Sequence, residues 1–398
     1  MTTQIGSHRR RFLCGLCAVC AAEYLGACSA IPVGETERIG AAPSAAKATP
    51  LPAGPFRFLR AAGGRVWFDD GLPAILRGCG FGNEVYSSNA LPLTHHDERD
   101  YARLHAMGMN LVRFYLHYLT FESDARPYLY RDQGWDWIDR NIEWARRHGV
   151  YLILNLHAPP GGYQSTGKGD ALWSRRDNQL RLAALWRAIA GRYADEPVIA
   201  GYDLVNEPVV THDRSQWQRL AQEIADAIRT VDRRHPVIVE RVNAVAGRWD
   251  NDREMNFVTI NDPNVIYTFH FYEPFTYTHQ YASWTDLKNR EGGPYPKGAG
   301  RDRAFLEARL GAYLDWGKRH GAALFLGEFG AIRACFEGNR GGLRWVADMV
   351  DLIDSAGLPW TYHAWHEDNF GLYFGYGSLP DSARANRALI DLLSRKLS

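Results

Sequence analysis

From residue 75 to the C-terminus, short apolar runs alternate with longer amphipathic stretches, and the alternation repeats eight times. The runs lie at residues 75–80, 109–114, 150–156, 199–205, 237–240, 265–270, 323–327 and 359–364. Helix-length stretches at 97–107, 135–147, 175–193, 215–232, 302–320, 342–355 and 382–396 separate or follow them. In 175–193 the apolar side chains Leu180, Ala184, Leu185, Ile189 and Tyr193 recur at helical spacing. Gly149 and Gly321 stand where helix ends want a left-handed residue. Strands alternating with helices imply parallel pairing, and eight units predict a closed (β/α)8 TIM barrel. The fifth unit is the weakest, since 243–258 shows no helical pattern. An open doubly wound sheet would want a complete glycine-rich phosphate turn after the first strand. Gly78-Cys79-Gly80-Phe81-Gly82 does not complete one and reads as backbone crowding at a barrel rim. Residues 56–78, with Gly63-Gly64 as a turn, read as an N-terminal β-hairpin.

Chemistry in such a barrel sits at the carboxyl ends of the strands. There the sequence places Arg113 after run two, His157 after run three and Asn206-Glu207-Pro208 after run four. His270-Phe271-Tyr272 follows run six, Glu328-Phe329-Gly330 run seven and Trp365 run eight. A polar group at the edge of an apolar run is costly to bury without a partner, so these positions mark a site. Glu207 and Glu328 are two carboxylates that strands four and seven can bring together across the mouth. Cleaving a glycosidic bond with retention requires such a pair, about 5 Å apart, one as nucleophile and one as acid and then base.

In identity, order and strand position, Arg113, His157, Asn206, Glu207, His270, Tyr272, Glu328 and Trp365 resemble the site set of glycoside hydrolase family 5, the cellulase family of clan A. The resemblance runs from about Phe56 to the C-terminus. It implies Glu207 as general acid/base and Glu328 as nucleophile. It implies that Asn206 binds the sugar 2-hydroxyl and that Arg113 and Tyr272 hold Glu328 ionised. His157 and His270 then bind hydroxyls or orient the carboxylates, and Trp365 is the floor on which the sugar stacks. Many relatives have an acidic residue after the strand-three histidine; here it is Ala158. Thr278-His279-Gln280, Trp284 and Pro294-Tyr295-Pro296, in the long connection 273–301, also resemble bacterial members acting on β-glucans. Trp284 and Trp173 are expected to bind sugar, with Tyr163, Trp249 and Tyr118 as further platforms. The expected activity is a retaining endo-β-1,4-glucanase needing no cofactor or metal. The alternatives are a β-mannanase, xyloglucanase or β-1,3-glucanase on the same site, or a non-catalytic carbohydrate-binding lipoprotein.

Ahead of the barrel the sequence has another character. Arg9-Arg10-Arg11 precedes the apolar residues 12–22, too short a run to span a bilayer and suited to a signal peptide. Arg9-Arg10-Arg11-Phe12-Leu13 resembles a twin-arginine signal, and Leu25-Gly26-Ala27-Cys28 a lipobox. Residues 1–27 are thus read as a signal peptide and Cys28 as the lipidated residue. Residues 28–55, rich in Ala and Pro, read as a tether and 56–398 as the catalytic domain. The expected location is the outer membrane through that anchor, or outside the inner membrane. The formal net charge is +1, and removing the leader, which carries +2, leaves −1. That gives no basic surface for nucleic acid. A monomer acting on a β-glucan is expected. Three apparent motifs are set aside. The P-loop start at Gly162 has Gly169 where a hydroxyl is required. His95-His96-Asp97 reads as a solvated histidine pair beside a helix-capping Asp97. His363 to Asp368 matches no zinc spacing.

Overall fold

The computed structural model describes residues 56–86, 91–249 and 255–398. The leader, Cys28 and the tether lie outside the described residues. Eight parallel strands close a barrel. In chain order they are Arg77–Phe81, Leu111–His117, Tyr151–Ala158, Ile199–Asp203, Val237–Glu240, Val265–Phe271, Ala323–Phe329 and Trp360–Tyr362, here barrel strands one to eight. Strand one pairs with strand eight, Gly78 opposite Thr361, which completes the ring. The expected hairpin is Leu59–Ala62 against Arg65–Phe68. It lies at the amino ends of the strands: Ala61 N–H donates to Asn264 before strand six, and Phe56 packs edge-on against Tyr151 at the start of strand three. The hairpin therefore closes the floor, and the opposite rim stays free for chemistry.

The helices form because each buries one stripe. In Ser215–Arg229 the buried residues Trp217, Leu220, Ala221, Ile224, Ala225 and Ile228 follow a helical period. Asp97 caps Glu98–Ala106 in a capping box with Asp100, as its position suggested. Gly321 ends Arg303–His320 in the left-handed conformation. Among the described residues no helix separates strands five and six. There Ala244–Val245 instead pairs with Val209–Val210 as a small ladder on the rim.

Much of the Trp content is structural. Trp186 Nε1 donates to Leu204 O at 2.9 Å, Trp217 Nε1 to Glu240 O at 2.7 Å, and Trp345 Nε1 to Glu273 O at 3.0 Å. Each indole comes from an outer helix and satisfies a carbonyl at or just after a strand's carboxyl end. Buried carbonyls need partners, and these three fix the segments that carry Asn206, Glu240 and Tyr272. The crowding expected at the glycine run is present. A Cβ on Gly78 would come within 1.7 Å of Leu111 O, and one on Gly80 within 2.7 Å of Tyr115 Oη.

Candidate active site

Arg113 organises the mouth. It points inward from strand two with no exposure. Its Nε donates to Asp203 Oδ2 at 2.7 Å, its Nη1 to Glu328 Oε1 at 2.6 Å and its Nη2 to Asn206 Oδ1 at 2.9 Å. A planar guanidinium is the one side chain that can serve three acceptors in fixed directions and stay charged. Strand two continues four residues beyond Arg113, to His117. Two residues on and facing the same way, Tyr115 donates from Oη to Glu328 Oε1 at 2.8 Å. Tyr272 Oη donates to Glu328 Oε2 at 2.7 Å. Burial opposes ionisation of Glu328, but His270, His363, Arg113 and His157 outweigh it and hold the carboxyl well below the usual range.

A register shift brings the second carboxylate into play. Strands six and seven pair Phe269 with Leu326 and then His270 with Glu328, so Gly327 is an extra residue on strand seven. His270 and Glu328 thereby stand level. His270 Nδ1 lies 3.0 Å from Glu207 Oε1 and 3.4 Å from Glu328 Oε2. The sum of those distances caps the separation of the two oxygens, and it falls just short of the ~6.5–9.5 Å of an inverting pair. Glu207 itself is held at φ 45, left-handed for a residue with a Cβ.

Two stacks of rings flank the carboxylates. On one side Tyr115 stacks on His157 at 4.1 Å, with Tyr163 and Tyr86 beyond, each about 5.7 Å or less from the His157 ring. His157 Nδ1 is 3.0 Å from Asn155 Oδ1. On the other, Tyr272, His279, Phe370 and Trp284 form a cluster in which Trp284 is 46% exposed. Burial lowers His279 to about 3, so it is neutral and packs like an aromatic ring.

Arg113, His157, Asn206, Glu207, His270, Tyr272 and Glu328 thus converge on one site. Trp365 does not fit the role of floor. It has no exposed surface and is wedged between Phe81 and Tyr373, with ring centres 5.6 and 5.0 Å away, so no face is open to a sugar. The side chain that strand eight sends to the mouth is His363, whose Nδ1 is 3.0 Å from Tyr115 Oη. Trp173 is also buried. It donates to Gln164 Oε1 at 2.9 Å and packs edge-on to Trp217, so it supports a loop. Tyr118 is buried too, its hydroxyl bonded to Asp124 and the Arg181 guanidinium over its ring. Trp249, 51% exposed, remains open. His95 and His96 are buried rather than solvated: their Nδ1 atoms are 2.9 Å apart and His96 Nε2 is 2.6 Å from Asn141 Oδ1. Phe81 packs over both rings, which explains how this polar-looking segment enters the core.

Four site residues were not read from the sequence: Tyr115, Asp203, Glu240 and His363. Glu240 carried the same signal as the others, a carboxylate ending an apolar run. Glu207, Glu240 and His270 bring ligand atoms within 4.8 Å of one another. Contacts among themselves already engage them, and Arg113 Nη2, 3.7 Å from Glu240 Oε2, supplies positive charge there.

A parallel barrel with an arginine-braced carboxylate pair and aromatic walls at its strand ends defines the glycoside hydrolase class. Residues 79–369 match the cellulase family, glycosyl hydrolase family 5, and the chain belongs to that family. It is 26% identical to endoglucanase C of Acetivibrio thermocellus over 75% of this chain and 91% of that one. It is also 26% identical to a β-xylosidase of Phanerodontia chrysosporium, over 79% of this chain and 71% of that one. The fold matches Thermotoga maritima Cel5A, solved in complex with mannotriose, at TM-score 0.67 and 23% identity, covering 80% of this chain and 97% of that one.

Proposed function

We infer that the chain is a retaining endo-β-1,4-glucanase with Glu328 as nucleophile and Glu207 as general acid/base. The observation that carries this reading is the one imidazole nitrogen of His270 shared between the two carboxylates. Glu328 is the suited nucleophile because His270, His363 and Arg113 keep it ionised while Arg113, Tyr115 and Tyr272 donate to its oxygens and aim it. Its oxygen attacks the anomeric carbon as the bond to the leaving sugar breaks. Glu207 gives its proton to the departing oxygen, then takes one from the water that releases the covalent glycosyl-enzyme. Asn206, held by Arg113 and Ser165, presents its amide to the sugar hydroxyls. Trp284 and Trp249 are the platforms along the groove. The similarity to endoglucanase C favours a β-glucan.

The test is reducing-sugar release and viscosity on carboxymethylcellulose and on galactomannan, wild type beside Glu328→Gln. A rapid viscosity fall on the cellulose derivative, reduced at least about 10³-fold by the substitution, is expected. Cleavage of galactomannan alone would change the substrate and leave the mechanism. Activity surviving in Glu328→Gln would remove the nucleophile assignment. We also propose that the enzyme is exported and anchored through Cys28, supported by the basic start, the short apolar run and Leu25-Gly26-Ala27-Cys28.

A further inference from the structure

We propose that Glu240, at the end of strand five, is a positioning residue for the acid/base, holding the backbone of Glu207 directly and its carboxyl group through His270. The proposal rests on the assignment of Glu207 as acid/base.

Glu240 is buried, and its Oε2 accepts the Glu207 N–H at 2.8 Å. A backbone N–H at the base of a left-handed Glu has no strand partner, and this carboxyl supplies one where Glu207 turns out of the rim at φ 45. Its Oε1 lies 3.3 Å from His270 Nε2, in polar contact without an aligned hydrogen bond. The other nitrogen of that ring, Nδ1, meets Glu207 Oε1 at 3.0 Å. Glu240 and His270 therefore grip the acid/base at its main chain and at its tip. The carbonyl of Glu240 is fixed by Trp217, so the grip is anchored to an outer helix.

The charged groups facing Glu240 are His270, Arg113, Glu207 and Asp203. Burial raises its carboxyl to about 8, against the pull of His270 and Arg113 and with the help of the two acids. The shift favours the neutral carboxyl, which accepts the Glu207 N–H without adding a negative charge beside the acid/base. Glutamine mimics that state; leucine keeps the bulk and removes the acceptor.

The experiment compares kcat/KM on phenyl β-cellobioside, whose leaving group needs a proton, with 2,4-dinitrophenyl β-cellobioside, whose leaving group does not. Glu240→Leu is expected to lose about 10- to 100-fold on the phenyl substrate, the scale of a misplaced catalytic group, and to change less than about threefold on the dinitrophenyl one. Glu240→Gln is expected to stay within about threefold of wild type on both at neutral pH. Wild-type rates on both substrates in Glu240→Leu, or an equal loss on both, overturn the proposal. Where Glu240→Leu does not fold, Glu240→Asp, which withdraws the carboxyl by one methylene, is read in the same way. Glu207→Ala on the same pair tests the underlying assignment. A phenyl-selective loss there establishes Glu207 as the acid; an equal loss removes that assignment and the proposal with it.

Discussion

Replacing Arg113 by Met should destabilise the fold by an amount that depends on pH in a defined direction. The guanidinium is wholly buried and donates to Asp203, Glu328 and Asn206 at 2.7, 2.6 and 2.9 Å. Methionine fills most of the volume and none of the charge. Breaking a buried ion pair by deleting one partner costs about 3–5 kcal/mol, because the other charge stays buried and unpaired. With a urea m-value of about 3 kcal/mol/M, the midpoint should fall by roughly 1–1.7 M at pH 7. The folded-state pKa of Glu328 lies below its unfolded value of about 4.5. Ionised Glu328 therefore contributes stability above that pH, and the contribution is lost as pH falls through the folded value. The variant has forfeited part of it, the rest being held by His270 and His363, so the gap between the two proteins should be widest at neutral pH and narrow on acidification below about 4.5. Urea unfolding followed by Trp fluorescence from pH 7 to pH 3.5 measures both quantities. A gap under about 1 kcal/mol at pH 7, or one that does not narrow with acid, would refute the account of Arg113 as the counter-charge of this site.

Trp284→Ala should raise KM on a glucan polymer by about 3- to 10-fold, the value of one aromatic stacking contact, and leave hydrolysis of a short aryl glycoside nearly unchanged; equal effects on both would deny it a place in the groove. Trp365→Ala should behave oppositely, costing about 3–5 kcal/mol of stability as a buried core deletion, and a stable variant with raised KM would restore it as a sugar platform. Cys28→Ala should move the protein from the detergent phase to the aqueous phase in Triton X-114 partition of whole cells, and unchanged partition would exclude lipidation at that residue.

The register of the architecture was legible because it is written locally. Strand five was expected at 237–240 and is found at Val237–Glu240, and the helix expected at 302–320 is found at Arg303–His320. Period and breaker residues are properties of neighbours in sequence. So is the placement of Glu207 and Glu328 at strand ends, which the barrel rule converts into one site. What the sequence could not carry is which face of a residue meets what. Trp365 and Trp284 are the same residue type in similar rim positions, yet one is sealed between Phe81 and Tyr373 and the other is 46% exposed. His95 and His96 look solvated and are covered by Phe81. Tyr115 reaches Glu328 only because Gly80, on the neighbouring strand, has no side chain there. His270 stands level with Glu328 only because of the extra residue at Gly327. Local periodicity therefore determined the elements and the two carboxylates, whereas closure of the barrel, which brings residues 113, 207, 240, 270 and 328 within one cluster of hydrogen bonds and ion-pair contacts, decided the partners of each.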